Sequence, residues 1–250
     1  MKIILHGLGH MGRAVMDIVE KNPDAEIVCG VDKMAEGFDF PVYKNINEVK
    51  ETADVVIDFS TAAAVDGLLN WCAGKKMPVV LCTTGLSDDQ IELVNKTAEK
   101  TAVLRSANMS LGINTIINML KSVSPVFLNA GFDAEIVEKH HNRKLDAPSG
   151  TAEALADAVN ESMEGKYHYV YDRHERREKR DPYEIGISSV RAGTLPGEHE
   201  VIFAGNDEVI EIKHTSYSRN IFASGAVSAA RFLMNKPAGL YGMDDVISGN

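Results

Sequence analysis

Cysteine is scarce in this 250-residue chain. Cys29, Cys72 and Cys82 form no CxxC or other metal-ligand spacing, so no metal is expected. They read as small buried hydrophobes of a reducing compartment, and a cytoplasmic location is the expectation. Positive charge is also in short supply. Lysine and arginine number 26 against 36 aspartates and glutamates, for a net charge of -10. That balance argues against nucleic acid as the main partner but leaves room for a local basic pocket. Long apolar runs are missing too. Stretches such as "DVVIDF" are far too short to span a bilayer, so no membrane association is expected. Met1 and Lys2 lead straight into "IILHGLG", a poor start for a signal peptide. There is no internal repeat, low-complexity tract or long Gly/Ser/Pro linker.

What is present is alternation. "KIILHG", "EIVCGVD", "ADVVIDFS", "MPVVLCTT" and "TAVLRSAN" read as apolar strands. The helical patterns "MGRAVMDIVEKN", "AAAVDGLLNWCAGK" and "SDDQIELVNKTAEK" fall between them, the last opened by Ser87 as cap. Strands apolar almost throughout, separated by single helices, imply an α/β fold with a parallel sheet covered on both faces. After Asn108 the pattern changes. A helix over "SLGINTIINMLKSVS", a strand over "FDAEIVEKH" and a helix over "SGTAEALADAVNESM" precede four strand-like runs, "YHYVY", "EIGISSVR", "HEVIFAG" and "EVIEIKHTS". "GNDE" between the last two looks like a hairpin turn. Strands joined by turns predict a mixed, mostly antiparallel sheet. A helix over "NIFASGAVSAARFLMN" and a short tail end the chain. "DRHERREKRD", residues 172–181, reads as a solvated loop or frayed helix, with a flap facing an anion as the lesser reading.

Two constellations carry chemistry. "GLGHMG" places Gly7, Gly9 and Gly12 as GxGxxG after a strand and at the opening of a helix, the context a dinucleotide needs. Leu8, His10 and Met11 complete the loop. Asp32 ends the second strand, where an acid can bond the adenosine ribose, and Lys33 beside it can neutralise a 2′-phosphate, with help from His10. NADH or NADPH is therefore the expected cofactor. The loops with Cys82, Thr83 and Thr84, and with Ser106, Ala107, Asn108 and Met109, follow the fourth and fifth strands and can line the nicotinamide half. The second constellation is "EKHHNRKLDAPSGT", residues 138–151. Adjacent strand residues point to opposite faces, so His140 and His141 cannot share one core face. Lys144 adds a cation. Ser149, Gly150 and Thr151 start a helix whose free amides suit a carboxylate.

The second run resembles the E-x-H-H-x-x-K-x-D-A-P-S-G-T-A signature of the dihydrodipicolinate reductase family at every fixed position. "CTTGL", "SANMSLGIN" and "VRAGTLPGEH" are similar to further segments of that family, so the likeness spans the chain. The chain departs from the family in a shorter glycine loop, with His10 where an arginine is common, and in Cys82 where glycine is usual. The resemblance implies NAD(P)H-dependent reduction of a cyclic imine dicarboxylate, 4-hydroxy-tetrahydrodipicolinate, with loss of water. It implies His140 and Lys144 as acid/base residues, with His141, Lys144, Ser149, Gly150, Thr151 and Arg219 holding substrate. It also implies a Rossmann domain over 1–108 and 221–250, a substrate and oligomerisation domain over 109–220, and a homotetramer. Two other readings share the nucleotide fold. An aspartate-dehydrogenase-like enzyme leaves the His-His-Lys-Ser-Gly-Thr set unexplained, and a sensor without turnover has no need of His140 and Lys144.

Overall fold

A computed structural model of the chain describes residues 1–34 and 36–249. By its internal contacts the chain divides into two compact units, Met1–Leu111 with Arg219–Asn250, and Gly112–Ser218.

The first unit is a seven-stranded sheet. Its strands are β1 (Lys2–His6), β2 (Glu26–Val31), β3 (Val42–Tyr43), β4 (Val55–Asp58), β5 (Val79–Leu81), β6 (Ala102–Arg105) and, from the chain's tail, β12 (Gly239–Tyr241). They run β12-β6-β5-β4-β1-β2-β3, and every pairing is parallel. The period of two in β1 sends Ile3 and Leu5 to one face and Ile4 to the other. Helices α1 (His10–Glu20) and α6 (Asn220–Leu233) cover the first face, and α2 (Ala62–Lys75) and α3 (Asp88–Ala98) the second. Ser87 caps α3 through a reciprocal capping box with Gln90, as its sequence predicts. The chain steps outward from β1 through β2 to β3, then returns to place β4 on the other side of β1. Loops diverge at that reversal, which is where such sheets hold ligands. The tail is less simple than the sequence suggests: β12 adds an edge to the sheet, and α7 (Met243–Ser248) follows it.

The second unit is a five-stranded sheet of β7 (Asp133–His140), β8 (His168–Val170), β9 (Glu184–Arg191), β10 (Gly197–Ala204) and β11 (Val209–Ser216), in the order β11-β10-β7-β9-β8. It is mixed, as expected, but not mostly antiparallel. β10 pairs antiparallel with β7 and β11, whereas β9 pairs parallel with β7 and β8. Helices α4 (Leu111–Asn129) and α5 (Gly150–Glu161) supply Leu120, Leu128, Leu155 and Val159 to its core. α4 continues through Pro125 rather than stopping at Ser124. At a mean hydropathy of 1.3 it has the length and composition of a membrane span. It also carries Lys121, paired with Glu161 at 3.3 Å.

The charged run 172–181 forms no helix, and its arginines are not merely solvated. Arg173 and Arg176 bond the buried carboxylate of Glu184 at 2.7–2.9 Å, and Arg180 reaches it at 3.2 Å. Burial alone would push the Glu184 carboxyl up; bonds from Arg173 and Arg176 outweigh it and hold the group down at about 2.

Candidate active site

In the first unit the three glycines of the loop do three different things. Gly7 has φ +90°, and a Cβ there would sit 2.5 Å from the Phe59 carbonyl oxygen. A Cβ on Gly12 would sit 2.2 Å from the Gly7 oxygen, so only glycine lets α1 start this close. Gly9 has nothing within 4 Å of that position. It is the N-cap of α1 and provides no side-chain cap, so amides at the helix start are open to an anion. The side chains of Leu8 and Met11 pack against the core, while His10 is exposed. Asp32 braces this loop: its carboxylate accepts from Leu8 N at 2.8 Å and Met34 N at 2.9 Å.

A cavity of about 440 Å³ opens here, lined among others by Gly7, Gly9, Asp32, Lys33, Phe59 and Thr61. That is the size range of small-ligand sites. Lys44 lines it as well. β3 places Lys44 there, because Asp32 N donates to Tyr43 O at 2.9 Å and Lys44 follows directly. Lys33 and Lys44 also share the adjoining depression with Asp32, and among the described residues neither makes an ion pair.

At the strand reversal, His6 and Asp58 are register partners on β1 and β4. His6 Nδ1 meets Asp58 Oδ1 at 2.6 Å, and the Thr83 hydroxyl donates to Asp58 Oδ2 at 2.6 Å. The Thr83 hydroxyl therefore serves the protein, while Thr84 stays exposed. Burial pushes the Cys82 thiol well above its ordinary range. In the other loop Ser106 Oγ donates to the Asn108 carbonyl at 2.8 Å, Ala107 is exposed, and the Met109 side chain lies in the core. The geometry gives Cys82 and Met109 packing roles and leaves backbone as their contribution to any ligand.

In the second unit, period-two alternation along β7 puts Ala134, Ile136, Glu138 and His140 on one face. The first two enter the core, and the last two stand where α5 begins. Lys139 takes the other face and pairs with Glu198 at 3.5 Å. Glu138 is fully buried and receives Arg191 through two bonds of 2.7 and 2.8 Å, His140 Nδ1 at 2.5 Å and Ser149 N at 3.2 Å. Burial would raise its carboxyl; Arg191, then Ser189 and His140, overcome that and hold it at about 2. His141 lies just beyond the strand, with Nδ1 buried and unbonded. Lys144 Nζ meets Asp146 at 2.7 and 2.9 Å. Ser149 caps α5 by accepting from Ala152 N at 3.2 Å, and its hydroxyl meets His199 Nε2 at 2.9 Å. That hydroxyl is buried and used twice within the protein. Gly150 and Thr151 form the first turn. Arg219 stands in the first unit as the N-cap of α6 and is exposed.

The geometry holds two sites of different character: a glycine loop with open amides beside an acid and two lysines, and a cationic strand-to-helix turn. The chain fits family models for the dihydrodipicolinate reductase N-terminus over residues 1–109 and C-terminus over 112–247. The chain belongs to the dihydrodipicolinate reductase family. It is an oxidoreductase of a pyridine-nucleotide-dependent group. It is 50% identical over 248 residues to the 4-hydroxy-tetrahydrodipicolinate reductase of Caldanaerobacter subterraneus subsp. tengcongensis, covering 99% of this chain and 98% of that one. The enzyme of the same name from Clostridium tetani is 45% identical over 250 residues, covering 99% and 97%. A dipicolinate-bound dihydrodipicolinate reductase from Paenisporosarcina sp. TG-14 superposes with TM-score 0.82 at 26% identity, covering 98% of both chains. A probable dehydrogenase from Thermotoga maritima shares the fold alone, with TM-score 0.61 at 13% identity over 99% of this chain and 93% of that one.

Several residues of this dihydrodipicolinate reductase family member were not singled out by sequence reasoning. Lys44 carries no motif, and its place follows from a two-residue strand. Glu138 was detectable by counting back in twos from His140. Arg191 and His199 lie in the family-like segment "VRAGTLPGEH" with no role assigned, and sheet pairing brings them to the site from β9 and β10.

Proposed function

We propose that this chain reduces 4-hydroxy-tetrahydrodipicolinate to tetrahydrodipicolinate with loss of water, using NADH or NADPH, in lysine and diaminopimelate biosynthesis. The observation that carries the reading is the folding of residues 138–151 into a strand end, a cationic turn and a helix start. A dicarboxylate needs cations in a protein of net charge -10, and this turn supplies them. The nicotinamide, when bound, supplies the hydride. Gly9 and the amides at the start of α1 hold the pyrophosphate, and Asp32 holds the adenosine ribose. Lys33 and Lys44 admit a 2′-phosphate, so both nucleotides are used.

At the substrate, Gly150 and Thr151 bind one carboxylate at the positive end of α5, together with Lys144 and His141. Substrate replaces Asp146 as the partner of the Lys144 ammonium. His140 delivers the proton as charge builds on the imine, with Lys144 polarising it. Strand β11 is a sheet edge and carries the exposed Val209. Covering that edge with another copy supports a homotetramer built on this sheet, working in the cytoplasm.

Turnover tests the assignment. His140→Ala and Lys144→Ala are expected each to lower kcat/KM for the cyclic imine by at least ~10², while NADH dissociation constants stay within a few-fold. The double variant falls by less than the product of the single effects if the two act as a unit. Near-wild-type turnover in both single variants removes the acid/base assignment, whereas NADH binding without turnover in the wild type favours a binding protein. Oxaloacetate plus ammonia as the better substrate favours an aspartate-dehydrogenase-like enzyme.

A further inference from the structure

We infer that Glu138 is the positioning residue of this site: one buried carboxylate fixes the ring of His140, the first turn of α5 and the turn carrying Lys144. The inference rests on the proposed role of His140 and extends it. Both oxygens are used twice. Oε2 accepts from His140 Nδ1 at 2.5 Å and from Arg191 at 2.8 Å. Oε1 accepts from Arg191 at 2.7 Å and from Ser149 N at 3.2 Å. The same Arg191 nitrogen that meets Oε1 also donates to the Asp146 carbonyl at 2.6 Å. The imidazole, the N-cap of the substrate helix and the acid that pairs Lys144 are thus all tied to one anion.

An ionised carboxylate only accepts hydrogen bonds. Facing His140 Nδ1, it requires the proton on that nitrogen and leaves Nε2 for the substrate. The surroundings suit that choice. A Cβ on Gly197 would lie 3.2 Å from His140 Nε2, so the missing side chain keeps that nitrogen clear. A purely structural pair would show none of this. Glu184, in the same sheet, provides the comparison: it is equally buried and held by Arg173 and Arg176, yet it orients no histidine. A carbonyl oxygen of glutamine cannot replace four donors' worth of acceptor, and its NH₂ group would face a donor.

The tautomer is measured directly. Full-length protein with ¹⁵N-labelled histidine is studied by long-range ¹H–¹⁵N correlation at alkaline pH, with His140 assigned from its loss in H140Q. The expected wild-type ring carries its proton on Nδ1, and Glu138→Gln loses that preference. In the same variant kcat for the cyclic imine is expected to fall about 10- to 100-fold, with the NADH dissociation constant unchanged within about two-fold. A wild-type ring protonated on Nε2 overturns the inference, whether or not the variant folds. So does a folded E138Q with wild-type kcat. Failure of the protein to reduce the imine at all would sink the proposed function and leave the tautomer result standing.

Discussion

The imidazole of His199 and the hydroxyl of Ser149 meet at 2.9 Å, both side chains buried, across the junction of β10 and the first turn of α5. Burial, reinforced by the nearby charge of His140, brings His199 down to about 4. The folded protein therefore keeps this ring neutral where the unfolded chain protonates it. As pH falls through about 6.5 the unfolded state takes up a proton that the native state refuses until about 4, so stability present at neutral pH is lost across that window. The loss from this one ring is at most about 3 kcal/mol. His199→Gln keeps a polar partner for Ser149 but does not titrate. Urea unfolding at pH 7.5 and pH 4.5 is expected to show a larger drop for wild type than for H199Q; equal drops would mean that His199 is not held neutral.

The glycine loop separates stability from binding. A Cβ at Gly12 collides with the Gly7 carbonyl at 2.2 Å, against backbone that cannot rotate away, whereas Gly9 has open space. Gly12→Ala is expected to lower the melting temperature and nucleotide affinity together. Gly9→Ala is expected to melt within about 2 °C of wild type, because it touches nothing, yet to lose NADH affinity at least about tenfold, because its methyl enters the space of the pyrophosphate. Calorimetric melting beside an NADH titration checks both. Unchanged affinity in G9A would mean that the phosphates lie elsewhere.

Much of this was legible in the sequence because local rules and tertiary needs agreed. α2 spans Ala62–Lys75, the stretch its pattern predicts, and "GLGHMG" opens α1 where its glycines require. Elements that exist only through a partner were not legible. β3 is two residues long and β12 three, each defined by the backbone it pairs with rather than by its own periodicity. The parallel placement of β8 and β9 was hidden for the same reason, since turn signals between runs say nothing of sheet order. The charged run 172–181 looked solvated because its acceptors, Glu135 and Glu184, lie on strands outside it. The site divided in the same way. The histidines, Lys144 and the helix start sit in one continuous run, but Glu138, which bonds His140 and the Ser149 amide, is answered by Arg191, 53 residues away.

Lys44, rather than Asp32 alone, is expected to set cofactor choice. Because Asp32 accepts from Leu8 N and Met34 N, Asp32→Ala slackens the glycine loop and is expected to weaken NADH and NADPH alike. It is a poor reporter of ribose recognition. Lys44 carries no such duty. It lines the cavity beside Asp32 and Lys33, and no acid among the described residues pairs with it. A lysine that meets a 2′-phosphate gains a charge-assisted contact of about 1.5–3 kcal/mol, and one that faces a ribose hydroxyl gains little. Lys44→Ala is therefore expected to raise the NADPH dissociation constant about tenfold or more while NADH changes less than about two-fold. The NADPH effect should shrink as salt rises from 20 to 300 mM, because the pair is exposed. Fluorescence titration of both nucleotides into wild type, K33A and K44A measures this. Equal weakening of NADH and NADPH in K44A would place Lys44 on the shared part of the nucleotide and leave Lys33 as the residue that reads the 2′ position.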